Sequence, residues 1–268
     1  MYSTGFELIL NACEGTLQIA ITESEALRAS QEYAVPRGAT DILIPAVQEM
    51  CRHLHIRPQD FCRIACVKGP GSFTGIRLVL ATAAGLRRTV GAQLAGLDYM
   101  QALATTVVQQ REVLYGNHVW VVTHARRELV HVQHFTSFGP VIPAQSATRV
   151  ALLAPAEAMA QIAKRPGLLC GSALVRYPDI FLAQRTGSGP ALSPQSSPMP
   201  QLVKPSIEAL CLLARHGDYA NADIEPDYVR PVDAIDNLGR LAARQGLSEQ
   251  EAHSRLDSLL TATPKSEI

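Results

Sequence analysis

No charge sign dominates this chain: 24 Lys and Arg stand against 24 Asp and Glu over 268 residues. A formally neutral chain cannot hold a polyanion by long-range attraction alone, because nucleic-acid affinity rests mainly on neutralised phosphates. If nucleic acid is involved, another chain supplies most of the phosphate contacts. The N-terminus shows no basic stretch followed by an apolar core, so no secretory leader is read there. No uninterrupted apolar run approaches the roughly 20 residues that a bilayer requires. Cytoplasmic placement without a membrane is therefore expected. The six cysteines, Cys13, Cys51, Cys62, Cys66, Cys170 and Cys211, form no CxxC pair, which argues against a structural zinc site and for small buried hydrophobes in a reducing compartment. There is no H-E-x-x-H, so a zinc peptidase of that class is unsupported. His131 and His134, three apart on an expected strand, fall on opposite faces and cannot share a metal. His53 and His55 sit at an expected helix end, where a cation suits the dipole. No metal ligands and no catalytic residues are assigned.

Hydrophobic residues make up 47% of the chain, enough for a sizeable core. Residues 6–12, 16–22 and 26–35 read as three strands joined tightly, an antiparallel meander. Thr40 or Asp41 is placed to cap a helix reaching Leu54, with Leu43, Val47, Met50, Cys51 and Leu54 on one face. Residues 63–67 read as a buried strand, 74–88 as a helix and 93–97 as a strand, and Asp98 caps a helix through Val108. A second series begins with strands at 118–123 and 129–135. It continues with a helix opened by Pro155, a strand at 167–171, a Pro/Ser/Gly-rich loop over 187–205 and a helix capped by Ser206. The similar order in both halves predicts two related α/β units, residues 1–110 and 111–232, rather than one continuous Rossmann sheet. Residues 233–268 predict a helical C-terminal extension. Ile235, Leu238 and Leu241 are helically spaced, Ser248 and Glu251 fit a capping box, and Leu256, Leu259 and Leu260 continue an apolar stripe.

The most informative stretch is Lys68-Gly69-Pro70-Gly71-Ser72-Phe73-Thr74-Gly75-Ile76-Arg77, between a strand and a helix. Gly69 and Gly71 suit backbone angles that a Cβ would forbid, and Ser72 or Thr74 can cap the helix. Amides at a helix start also make an anion site in principle. However, the spacing fits neither the P-loop nor the dinucleotide fingerprint, so a structural turn is the stronger reading. In the following helix, Ile76, Val79, Leu80, Ala83, Leu86 and Val90 form one apolar stripe. The opposite side carries Leu78, Ala81, Thr82 and Gly85, flanked by Arg77 and Arg88. Periodicity alone leaves two readings of that side open, cover by another helix of the same chain and contact with a partner. Ser72 lacks an adjacent base and is not assigned as a nucleophile.

Gly-Pro-Gly-Ser-Phe-Thr-Gly-Ile-Arg (residues 69–77), followed by Ala-Thr-Ala-Ala-Gly-Leu, resembles the signature of the TsaB (YeaZ) family. Supporting matches are residues 6–13, Ala125-Arg126-Arg127-Glu128, Gly171 with Tyr177 and Phe181, and Glu225-Pro226-Asp227-Tyr228-Val229-Arg230. The resemblance implies an α/β fold of two RNase H-like lobes of the actin-like ATPase superfamily, with mixed sheets flanked by helices. It implies a non-catalytic scaffold for the subunit TsaD, working with the ATPase TsaE, in threonylcarbamoyl transfer to the adenosine next to the tRNA anticodon. It also implies a homodimer contact through the same first-lobe helices, tRNA met only through the complex, and ATP or ADP only at a subunit junction.

Three positions depart from the family pattern. Asn11 stands where the first strand usually ends in Asp, residues 36–40 replace a His-Ser or His-Thr, and His124 replaces an Asp before Ala-Arg. Asn supplies no carboxylate for hydrated magnesium, so an actin-like small-molecule kinase or ATPase is the weaker alternative, as is a glycoprotease-like peptidase.

Overall fold

A computed structural model describes residues 5–35, 38–125, 128–182 and 197–228. Residues 1–227 form one compact unit and residues 228–268 a second. The expected extension over 233–268, with its apolar stripe and capping box, lies outside the described residues.

The chain opens with strands β1 (Phe6–Asn11), β2 (Thr16–Glu23) and β3 (Ala26–Ala34), followed by helix α1 (Ala39–His53). Strand β4 (Phe61–Gly69), helix α2 (Phe73–Val90), strand β5 (Gln93–Asp98) and helix α3 (Tyr99–Gln110) complete the first series. The second series is β6 (His118–His124), β7 (Val130–Thr136), β8 (Gln145–Ser146), β9 (Ala151–Leu153), α4 (Pro155–Ala163), β10 (Leu168–Cys170), α5 (Ser172–Arg176), α6 (Pro178–Phe181), β11 (Ser197–Met199) and α7 (Ile207–Arg215).

The first sheet runs β3-β2-β1-β4-β5. Its first three strands are the expected antiparallel meander, and β4 and β5 lie parallel to β1. The second sheet runs β11-β10-β6-β7-β8, with β9 also on β7. There β6 and β7 are antiparallel, while β10 and β11 are parallel to β6. Both sheets are therefore mixed, as expected.

Strand alternation divides the core. Leu8 and Leu10 of β1 pack with α1 and α2, whereas Ile9 between them faces α3 and α7. In β6, Trp120 and Val122 face α4 to α6, and Val119 and Val121 face α3. Met100, Leu103 and Val107 of α3, with Leu210 and Leu213 of α7, thus share one apolar cluster with side chains of both sheets. Helix α3 is buried almost all round, as a helix apolar on every face must be.

Two local expectations need correction. Helix α1 takes Gly38, in the left-handed region, as its N-cap with no side-chain cap bond, rather than Thr40 or Asp41. Glycine reaches that conformation without steric cost, and its carbonyl accepts from the Asp41 amide at 3.1 Å. Within the expected loop 187–205, residues 197–199 form β11. It is an edge strand, where the missing N–H of Pro198 removes no ladder bond the sheet depends on. Residues 183–196 lie outside the described residues.

Candidate functional site: the glycine joint and the open face of α2

The glycine motif is a joint between the end of β1 and the start of α2. Gly69 has φ +125, and a Cβ on it would lie 2.8 Å from the carbonyl oxygen of Asp227. That segment is held by the Asp227 amide donating to the Lys68 carbonyl at 2.8 Å and by a Lys68–Asp227 ion pair at 3.3 Å. The Gly69–Pro70 bond is cis. Ser72 is the N-cap, its Oγ accepting from the Gly75 amide at 3.3 Å. Thr74, the other capping candidate, is already inside the helix.

The reading of Gly71 changes. It is not among the positive-φ glycines; what it provides is closeness, since a Cβ there would sit 3.0 Å from Cys13 Cβ and 3.2 Å from its Sγ. The tightest position is Gly75, where a Cβ would fall 1.8 Å from the backbone oxygen of Ala12. Gly71→Val is expected to cost about 1–3 kcal/mol, the usual range for overpacking, read as a lower urea midpoint. An unchanged midpoint would show that Cys13 yields without cost.

Beyond the joint, Ile76, Val79 and Ala83 are buried, with Leu80, Leu86 and Val90 partly so. The opposite side is open. Arg77, Ala81, Gly85 and Arg88 are exposed, and Leu78 and Thr82 are half-buried. Among the described residues, nothing lies within 4 Å of a Cβ built on Gly85. Phe73 is 40% exposed, and its ring carries the Arg77 guanidinium at 4.2 Å. Arg88 does not stand alone at the far end: it pairs with Asp223 at 2.6 Å, which also binds Arg87 at 3.0 Å.

A second constellation forms where the β1–β2 turn meets the second sheet, and the sequence did not reveal it. Asn11 is buried; its Oδ1 accepts from the Cys13 amide at 3.0 Å, and its Nδ2 donates to Gln18 Oε1 at 2.7 Å. An Asp could not make the second bond. Gln18 in turn donates to Glu32 at 2.9 Å and to the Pro205 carbonyl at 2.8 Å. Glu14 Oε1 accepts from Ser172 Oγ at 2.6 Å, and its Oε2 lies 3.1 Å from the Tyr99 hydroxyl. Burial raises the Glu14 carboxyl to about 7. The His124 amide donates to Ser172 Oγ at 2.8 Å, and its ring meets Tyr177. Burial, then Arg176, lowers the His124 imidazole.

Among the other histidines, His131 contacts Thr123 at 3.3 Å. Buried His134 meets His118 of the neighbouring strand at 3.1 Å, over Trp120. Burial, then His118 and Arg165, pushes His134 down to about 4. No disulfide joins the six cysteines; all are buried except Cys62, which is half-buried and whose thiol donates to the Phe6 carbonyl at 3.3 Å.

A family model described as TsaD: tRNA N6-adenosine threonylcarbamoyltransferase matches residues 33–174, just over half of the chain. The chain belongs to that family. It is similar to the tRNA threonylcarbamoyladenosine biosynthesis protein TsaB of Bacillus subtilis (strain 168), 26% identical over 97 residues, which is 36% of this chain and 42% of that protein. It is also similar to the TsaB of Buchnera aphidicola subsp. Baizongia pistaciae (strain Bp), 25% identical over 129 residues, 45% of this chain and 56% of that one. The matched stretches thus span about half the length of these curated relatives. In fold it resembles YeaZ from Pseudomonas aeruginosa, with TM-score 0.67, 19% identity, and coverage of 84% of this chain and 100% of that chain. The TsaB (YeaZ) resemblance read from the glycine motif is borne out. Among the described residues, no helix is long and apolar enough to cross a membrane.

Proposed function

We propose that this chain supports threonylcarbamoyl transfer to the adenosine beside the tRNA anticodon, as a non-catalytic partner of a TsaD-type catalytic subunit. The family match and the TsaB likeness support the pathway. The observation that carries the partner role is the side of α2 formed by Leu78, Ala81, Thr82 and Gly85, which the described residues leave exposed or half-covered. Small side chains let a second helix approach closely, and the burial contributes about 25 cal/mol per Å² of apolar surface. A neutral chain with such a face suits docking on protein better than direct hold on RNA.

The ends of the first strands of the two sheets support the non-catalytic role. Asn11 is fully engaged in holding its turn, and His124 is a partly buried imidazole shifted towards neutrality. Neither supplies a carboxylate to hold a metal beside a phosphate. Any ATP or ADP is placed at a junction with a partner. TsaE, a second copy of this chain on the same α2 face, tRNA reached through the assembly, and a cytoplasmic setting complete the proposal.

The test combines genetics and reconstitution. Cells lacking the gene should lose threonylcarbamoyladenosine from their tRNA, measured by nucleoside mass spectrometry, and regain it on complementation. Purified chain and cognate TsaD-type subunit should co-elute on gel filtration. Full modification in the deletion strain would overturn the pathway assignment; strong ATP hydrolysis by the chain alone would overturn the non-catalytic role.

A further inference from the structure

We propose that Glu14 is a protonated latch tying the first sheet to the second, and that its ionisation loosens the joint. Ser172 Oγ accepts from the His124 amide at 2.8 Å, so its own hydrogen is directed to Glu14 Oε1, 2.6 Å away. The Tyr99 hydroxyl lies 3.1 Å from Glu14 Oε2 and 3.3 Å from the Val203 carbonyl oxygen. A phenol has one hydrogen. With Glu14 ionised, both neighbours of Tyr99 are acceptors and one goes unserved. With Glu14 protonated, its hydroxyl donates to Tyr99, Tyr99 donates to Val203, and every member is satisfied. A network in this dry environment is stable only when complete.

The surroundings favour the neutral acid. The described titratable groups around this cluster are Cys13 at the end of β1, Asp98 and Tyr99 at the start of α3, Cys170 at the end of β10 and His124 at the end of β6. The cations act one step away, Arg176 on the His124 ring, which also meets the Tyr177 hydroxyl, and Lys68 on Asp98, and the His124 ring is shifted towards neutrality. Burial raises the carboxyl to about 7, against the Ser172 bond, which favours the carboxylate. The turn also keeps Glu14 at φ +22, a region a non-glycine residue occupies only when its surroundings fix it there.

The latch spans the fold. Glu14 belongs to the β1–β2 turn, Ser172 opens α5 beyond the second sheet, and Val203 lies between β11 and α7. Between about 4.5 and about 7 the folded protein holds a proton that the unfolded chain has released. The latch's contribution is therefore complete below the lower value and is lost as pH rises through the upper one. Asp98, raised by burial to about 6, acts with the same sign, and His134 with the opposite sign.

The experiment isolates Glu14 by difference. Glutamine offers one acceptor and one donor in the same shape, so Glu14→Gln completes the network at every pH. In the full chain, carbon-13-labelled glutamate should show one side-chain carboxyl resonance with a midpoint near 7, absent from Glu14→Gln. Ser172→Ala, which removes a bond that favours the ionised form, should move that midpoint upward. Thermal midpoints from pH 5 to 9 should fall for the wild type relative to Glu14→Gln. A midpoint in the ordinary carboxylate range, a resonance that persists in Glu14→Gln, or no response to Ser172→Ala would overturn the latch. The resonance measurement on wild type and Ser172→Ala stands even if Glu14→Gln fails to fold.

Discussion

Gly75→Val yields no accumulated folded protein, or protein destabilised by more than about 4 kcal/mol, the range reserved for severe core lesions. The cause is backbone against backbone. A Cβ at this position would lie 1.8 Å from the Ala12 carbonyl oxygen and 2.9 Å from its carbon, and neither has a rotamer to escape into. Helix α2 would have to withdraw from the end of β1, uncovering Ile76, Val79 and Ala83, all fully buried. Gly75→Ala, the smaller change, meets the same atoms and should still lower the urea midpoint substantially. The control is Gly91→Ala, where a Cβ has nothing within 4 Å among the described residues and a left-handed φ of +73 opposes it, a strain of about 1 kcal/mol. A Gly75→Ala protein that melts like the wild type would show that the joint between α2 and β1 is slack.

The second large effect falls on assembly. Ala81→Arg is expected to weaken binding to the TsaD-type subunit by at least about 100-fold, an effect of about 3 kcal/mol, as seen where a central interface contact is lost. Ala81 is exposed on the middle of α2, so the monomer should melt as before. Gly85→Leu gives a sharper version, because its two effects differ in sign. Leucine raises helix propensity by about 0.8 kcal/mol over glycine, and among the described residues nothing within 4 Å obstructs a Cβ there. The monomer should gain stability while the complex weakens. Isothermal titration alongside thermal melts separates the two, and wild-type affinity in both variants would remove α2 from the interface.

How much of this was legible in the sequence depends on the range of each signal. Caps are local, and Ser72, Asp98 and Ser206 all accept from the amide three residues on. Helical and strand periodicity are local too, so the meander and the buried stripe of α2 came through. Gly75 was recognised as part of a motif, but the reason for it lies in Ala12, on another element. Glu14 falls in the short connection between the first two expected strands, and nothing local points to its partner Ser172, 158 positions away. The His118–His134 contact was equally hidden, since spacing along one strand says nothing about which neighbour it meets across the ladder. Gly38 as the cap of α1 was missed because side-chain capping is the stronger written signal than a backbone conformation.

Helix α3 has a consequence for synthesis. One flank of that central rod takes its apolar cover from α7, whose residues are made about a hundred positions later. A nascent chain halted after the first sheet would present that flank bare to the ribosome surface and to chaperones. The front half therefore cannot mature early and wait; it becomes sound only when the last of its wrapping leaves the exit tunnel.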